Sequence, residues 1–204
     1  MAVSEMDESC RIYLVIPPGP DEDLERWLVP VLEQDHVACV LLQTDCDGQV
    51  DRDLAQRLIG VAHEQDVPLL IENSIEAAAE LRADGVEIEA DETTYEAARQ
   101  RLREEAMVGA RCGASKHAAM VMAERGADYV AFGAGQEELI GWWGDLFEVP
   151  CVASGIEAAA QALTLAERGA DFVAIGDGFW NTAEAPADAI ATLHLALSRP
   201  KSAA

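Results

Sequence analysis

The stretch Gly113-Ala114-Ser115-Lys116-His117 sets a hydroxyl, an ammonium and an imidazole side by side. Together these groups can hold an anion and move a proton. Lys116 stands out further because the chain has only one other lysine, Lys201. Two glycine turns, Ser154-Gly155-Ile156 and Gly176-Asp177-Gly178, suit a phosphate. Glycine lets backbone N–H groups approach an anion at a helix start. Carboxylates gather after other apolar runs, at Asp45, Asp47, Glu72, Glu87, Glu89, Asp91, Glu92 and Asp177, against the positive groups Arg111, Lys116 and His117. So many negative charges repel a bare polyphosphate, whereas a divalent cation would turn some of them into ligands. Glu87, Glu89 and Asp47 read as solvated loop charges. Trp142, Trp143 and Trp180 offer π faces to a ring or a cation, or pack helices onto a sheet.

Chemistry of this kind needs a frame, and the hydrophobic pattern supplies one. Short apolar runs recur at Ile12–Ile16, Val37–Gln43, Pro68–Glu72, Gly85–Ile88, Met107–Ala110, Tyr129–Gly133, Pro150–Ala153 and Phe172–Gly176. Most are continuous rather than alternating, which marks strands buried on both faces of a parallel sheet. Between and after them lie helical stretches at Asp21–Gln34, Asp51–Gln65, Ser74–Arg82, Thr93–Glu105, Ser115–Arg125, Gln136–Phe147, Ile156–Arg168 and Pro186–Ser198. Ser74 and Ser115 fit N-cap positions, and Gly126 and Gly169 fit helix stops. Eight even strand–helix units predict an α/β fold, a single (β/α)8 TIM barrel over residues 11–198. An open doubly wound sheet is the structural alternative. An acidic tail at 1–10 and a tail at 199–204 would flank the barrel.

A repeat supports the unit. Ala83-Asp84-Gly85-Val86, Gly126-Ala127-Asp128-Tyr129 and Gly169-Ala170-Asp171-Phe172 recur at intervals of about 43–44 residues, two strand–helix units apart. A barrel of this class carries its site at the C-terminal ends of the strands, with phosphate beside strands seven and eight.

The net charge of −24 argues against nucleic-acid and anionic-membrane partners, which need a basic surface. No apolar run reaches the roughly 20 residues of a membrane helix. Five cysteines without a CxxC pair, and an acidic start in place of an export signal, imply a reducing cytoplasm. Among them Cys112 reads as a thiol at the barrel mouth with no paired base. Homo-oligomerisation is left open.

The ordered runs Pro68-Leu69-Leu70-Ile71-Glu72-Asn73-Ser74, Ala83 to Ile88, Gly126 to Gly133 and Val149 to Ile156 resemble thiamine-phosphate synthase and its thiazole-tautomerase relatives. The resemblance implies a transferase joining an aminopyrimidine methyl diphosphate to a thiazole phosphate, with Mg²⁺ on the diphosphate. Phosphorylated small molecules are then the implied partners. The family's Gln-x-Arg-x-Lys after strand two stands here as Gln43 with Asp45 and Asp47 in place of the cations. Its Asn-Asp-Arg after strand three becomes Glu72-Asn73-Ser74, and a carboxylate survives after strand four at Asp91 or Glu92. The Thr-x-Thr-Lys loop after strand six is replaced by Ala134-Gly135-Gln136-Glu137. The resemblance thus implies Gln43, Glu72, Asn73 and Arg111 on the substrate and Asp91 and Glu92 on metal. It also implies Gly155, Gly176 and Gly178 on the thiazole phosphate, with Ser115, Lys116 and His117 in catalysis. A repurposed barrel, acting as an isomerase, a hydrolase or a non-catalytic binder, is the alternative that the lost cations favour.

Overall fold

In a computed structural model the described residues are 9–19, 24–33, 37–180 and 186–198. The tail residues 1–8 and 199–204, and the side chains of Asp177 and Trp180, lie outside the described set. Eight parallel strands close in sequence order into a barrel: β1 (Arg11–Ile16), β2 (Val37–Leu42), β3 (Leu69–Glu72), β4 (Gly85–Glu89), β5 (Met107–Gly113), β6 (Tyr129–Phe132), β7 (Cys151–Ile156) and β8 (Phe172–Ile175). The expected (β/α)8 barrel is the fold. The open sheet is ruled out by the pairing of β1 with β8, Leu14 opposite Ile175.

The helices are α1 (Leu24–Leu32), α2 (Arg52–Glu64), α3 (Ile75–Leu81), α4 (Glu92–Arg101), α5 (Lys116–Glu124), α6 (Glu137–Leu146), α7 (Ala159–Arg168), α8 (Asp177–Trp180) and α9 (Pro186–Leu197). Most strands present apolar side chains both ways, as the continuous runs require, while β4 turns Glu87 and Glu89 to the opposite face from Val86 and Ile88. Outward residues such as Ile12, Leu14, Ile71 and Ile175 join helix residues such as Leu28, Leu58 and Ile140 in one core. Inward residues form a second, separate core, with Tyr13, Leu41, Leu70, Tyr129, Val152 and Ala174 filling the barrel.

The repeated aspartates turn out to be clasps at the entry of the strands. Asp84 accepts a hydrogen bond from the Leu69 N–H at 2.8 Å, Asp128 from Val108 at 2.7 Å and Asp171 from Cys151 at 2.8 Å. In return each aspartate's own N–H donates to the carbonyl of that same partner, at 2.8, 3.1 and 3.1 Å. Each clasp therefore ties a strand to the one before it, joining β3 to β4, β5 to β6 and β7 to β8. The two-unit period of the sequence follows from this pairing. Asp84 also meets His63 at 2.8 Å, and Asp128 meets Arg99 at 2.7 Å.

Among the boundaries that differ from the sequence reading, three bear on the site. β5 runs on to Gly113 and β7 to Ile156, so Arg111, Cys112 and Gly155 belong to strands rather than to the loops after them. In β7 the register shifts between Ala153 and Ile156, and Gly155 takes φ +74°, a conformation that favours glycine. Helix α7 consequently starts at Ala159, and Gly155 does not sit at a helix N-terminus. The short helix α8 is an addition that the sequence pattern did not predict.

Candidate active site at the barrel mouth

A cavity of about 300 Å³ opens at the C-terminal end of the barrel. Its floor is made by Tyr13 and Glu87, its wall by Gln43 and Arg111, and its rim by Gly155, Gly176 and Gly178. Five of the seven residues read from the sequence as substrate-binding, Gln43, Arg111, Gly155, Gly176 and Gly178, therefore line one chamber, and Glu72 and Asn73 do not.

The parallel register explains the polar wall. Glu72 of β3 lies opposite Glu87 of β4, and Glu89 of β4 lies opposite Arg111 of β5. Like charges on adjacent strands repel unless something bridges them. The Arg111 guanidinium does so: it bonds Glu72, approaches Glu89 at 2.8 Å and comes within 3.9 Å of Glu87. Burial opposes its charge, but the hydrogen bond and charge of Glu72, with Glu87 and Glu89 behind, hold it above its ordinary value. Glu72 also accepts from the Gln43 side chain at 3.4 Å and from the Thr44 N–H at 3.3 Å.

Below this lies an apolar floor with one charged group. Glu87 is 4% exposed, and its carboxylate accepts from Tyr129 at 3.1 Å and from Tyr13 at 3.3 Å. The two phenol oxygens are 2.8 Å apart and bonded to each other. Burial pushes the Glu87 carboxyl up, against the pull of Arg111 and the two hydroxyls, while the charge of Glu72 adds to the rise. Both tyrosines are raised well above their usual range by burial, with the Glu87 charge next. Gly109 makes room for this arrangement, since a β-carbon there would meet the Tyr129 ring at 2.0 Å.

Glu87 is thus a buried floor residue and not the solvated loop charge its sequence context implied; Glu89 and Asp47 are exposed, as read. Tyr13 and Tyr129 were missed. The available signal was a tyrosine at an inward position of each strand, and for Glu87 a carboxylate flanked by Val86 and Ile88 inside an apolar run.

Other expected site residues are engaged elsewhere. Asp91 caps α4 by accepting from the Thr94 N–H and hydroxyl, both at 2.8 Å, and those bonds hold its carboxyl below the usual range. Glu92 pairs with Arg125 of the neighbouring helix end. Neither lines the cavity, and the described residues contain no group of three or more His, Cys, Asp or Glu side chains arranged for a metal ion. As they stand, Asp91 and Glu92 are committed to these partners and do not form a resident Mg²⁺ site with the residues of the chamber. Asn73 holds φ +48°, and its amide oxygen accepts from the Glu89 N–H at 3.1 Å, splicing β3 to β4 outside the chamber.

Ser115 caps α5 through the Ala118 N–H at 3.1 Å. Lys116 extends over the Trp142 ring of α6, 4.2 Å from its centroid. The exposed His117 follows it on the same first turn. None of the three lines the chamber. Trp143 is fully buried and stacks on Phe147 at 4.0 Å, the helix-packing role. Cys112 is buried and pushed up to about 12 by burial, which leaves it no mouth nucleophile.

A closed (β/α)8 barrel with a charged chamber at the C-terminal strand ends defines an enzyme of the barrel class that works on small molecules. The family model described as thiamine monophosphate synthase matches residues 12–179, and the chain belongs to that family. The thiamine-phosphate synthase of Rhodospirillum centenum is 36% identical over 196 residues, covering 89% of this chain and 95% of that protein. The thiamine-phosphate synthase of Erythrobacter litoralis is 38% identical over 170 residues, covering 75% and 80%. Among solved structures, a thiamine phosphate pyrophosphorylase from Pyrococcus furiosus superposes with a TM-score of 0.77 at 18% identity, over 93% of this chain and 96% of that one. At that identity the likeness speaks for the fold.

Proposed function

We propose that the protein is a thiamine-phosphate synthase, joining an aminopyrimidine methyl diphosphate to a thiazole phosphate with release of diphosphate. Family membership over residues 12–179 carries the reading. The chamber suits it, because one side offers the Arg111 cation and the rim offers glycine backbone. In this reading Arg111 receives the diphosphate that the missing cations at Asp45 and Asp47 would otherwise hold. Gln43 and Glu72 orient the guanidinium and the pyrimidine beside it. Gly155, Gly176 and Gly178 leave space for the thiazole phosphate. These residues act by binding and orientation, which supply much of the catalysis in a transfer of this type.

Ser115, Lys116 and His117 would act at the edge of the site, from the start of α5 that Ser115 caps. No helix among the described residues is long and apolar enough to cross a membrane. A cytoplasmic location completes the proposal.

The test is thiamine phosphate formation from both purified substrates, with Mg²⁺ and with chelator, beside an Arg111→Gln variant. Product that disappears in the variant supports the reading. No product from well-folded wild type would reject it and favour the repurposed barrel.

A further inference from the structure

The carboxylates around Arg111 are not served equally. Glu72 has Arg111, the Gln43 amide and the Thr44 N–H, while Glu89 has the guanidinium and solvent. Glu87, the more buried of the two buried charged side chains among the described residues, has a 3.9 Å approach of Arg111 and two neutral hydroxyls. One guanidinium cannot neutralise three carboxylates. The floor of the chamber is therefore short of positive charge at Glu87, where water is scarce and the missing charge matters most.

The proposed reaction creates a positive charge. The thiazole nitrogen gives its lone pair to the pyrimidine methylene carbon as the C–O bond to diphosphate breaks. The pair from that bond leaves with the diphosphate, no proton moves, and the nitrogen ends quaternary and cationic. We infer that Glu87 is the counter-charge for this developing cation, a catalytic residue held in place by the positioning hydroxyls of Tyr13 and Tyr129. The inference rests on the synthase reading. It divides the chamber, with Arg111 facing the departing anion and Glu87 facing the cation left behind. A fixed charge aimed at developing charge in a dry site needs no reorganisation as the reaction proceeds.

The experiment compares wild type, Glu87→Gln and Tyr129→Phe. Calorimetry measures binding of thiamine phosphate and of an uncharged isostere with carbon at the quaternary position, alongside steady-state kinetics. Wild type should prefer the cation by about 10-fold or more, and Glu87→Gln should erase that preference. Glu87→Gln should also lower kcat about 100-fold, with each KM changing less than about threefold.

Tyr129→Phe covers the case in which Glu87→Gln fails to fold. Glu87 faces Tyr13 of β1, Cys39 of β2, Glu72 of β3, Arg111 and Cys112 of β5 and Tyr129 of β6. Losing one hydroxyl donor should move the acid limb of the kcat profile to higher pH while the cation preference persists. A Glu87→Gln variant that keeps both kcat and preference, or an acid limb unmoved in Tyr129→Phe, overturns the inference while wild-type turnover keeps the synthase reading. Wild type that neither makes nor binds thiamine phosphate rejects the synthase reading and the inference with it.

Discussion

The two ends of the barrel use carboxylates in opposite ways. At the strand entries Asp84, Asp128 and Asp171 spend their oxygens on backbone N–H groups and tie strands in pairs. At the mouth Glu72 and Glu87 sit beside each other on adjacent strands, buried, and depend on one shared arginine. A short side chain at a turn reaches the backbone and stabilises. A longer one pointing into a closed barrel meets other side chains and carries a desolvation cost, which chemistry at the mouth would justify.

The largest test of this contrast removes the shared arginine. Arg111→Met leaves two buried carboxylates without a cation, and should cost about 3–5 kcal/mol by urea unfolding at pH 7. Product formation should be lost with it. Next comes the other end: Asp128→Ala orphans the Val108 N–H and one partner of Arg99, for about 1–3 kcal/mol. In that variant kcat should stay unchanged, and a fall in kcat would break the division between the two ends.

A third variant separates stability from function at the mouth. Burial raises the Glu87 carboxyl, so the native state holds its proton more tightly than the unfolded chain does. Its contribution is therefore most favourable at acid pH and is lost as pH rises through the folded value. Glu87→Gln escapes this loss, so its stability relative to wild type should improve as pH rises above the ordinary carboxyl range, as read by urea midpoints. The smallest effect belongs to Lys116. Lys116→Met removes a cation from the Trp142 face and should cost about 0.5–1 kcal/mol by urea midpoint, with a modest fall in turnover as for a residue acting from the edge of the site.

The barrel was legible because continuous apolar runs, turn glycines and the repeated aspartates all point to one architecture. The chamber was legible in part. Gln43, Arg111 and the three glycines came together because each follows or ends a strand, and strand ends converge in a closed barrel. Glu87 was misread because a charge near a strand end looks solvated until the register shows which way it points. Asp91 and Glu92 looked like metal ligands by position, yet a helix start needed the first and Arg125 took the second. Lys116 drew notice for its rarity, but its placement over a tryptophan 26 residues later in the chain was not legible in the sequence.

That placement gives the molecule a built-in optical handle. With two lysines in the whole chain, an amine-directed dye or acyl group has few places to attach. At Lys116 it would sit against an indole 4.2 Å away. Acylation would strip the positive charge from that indole and change its emission, so the progress of labelling could be followed from tryptophan fluorescence alone. The same bond would tether the barrel to a surface by the mouth-side start of α5, so attachment there would turn the chamber end of the barrel toward that surface.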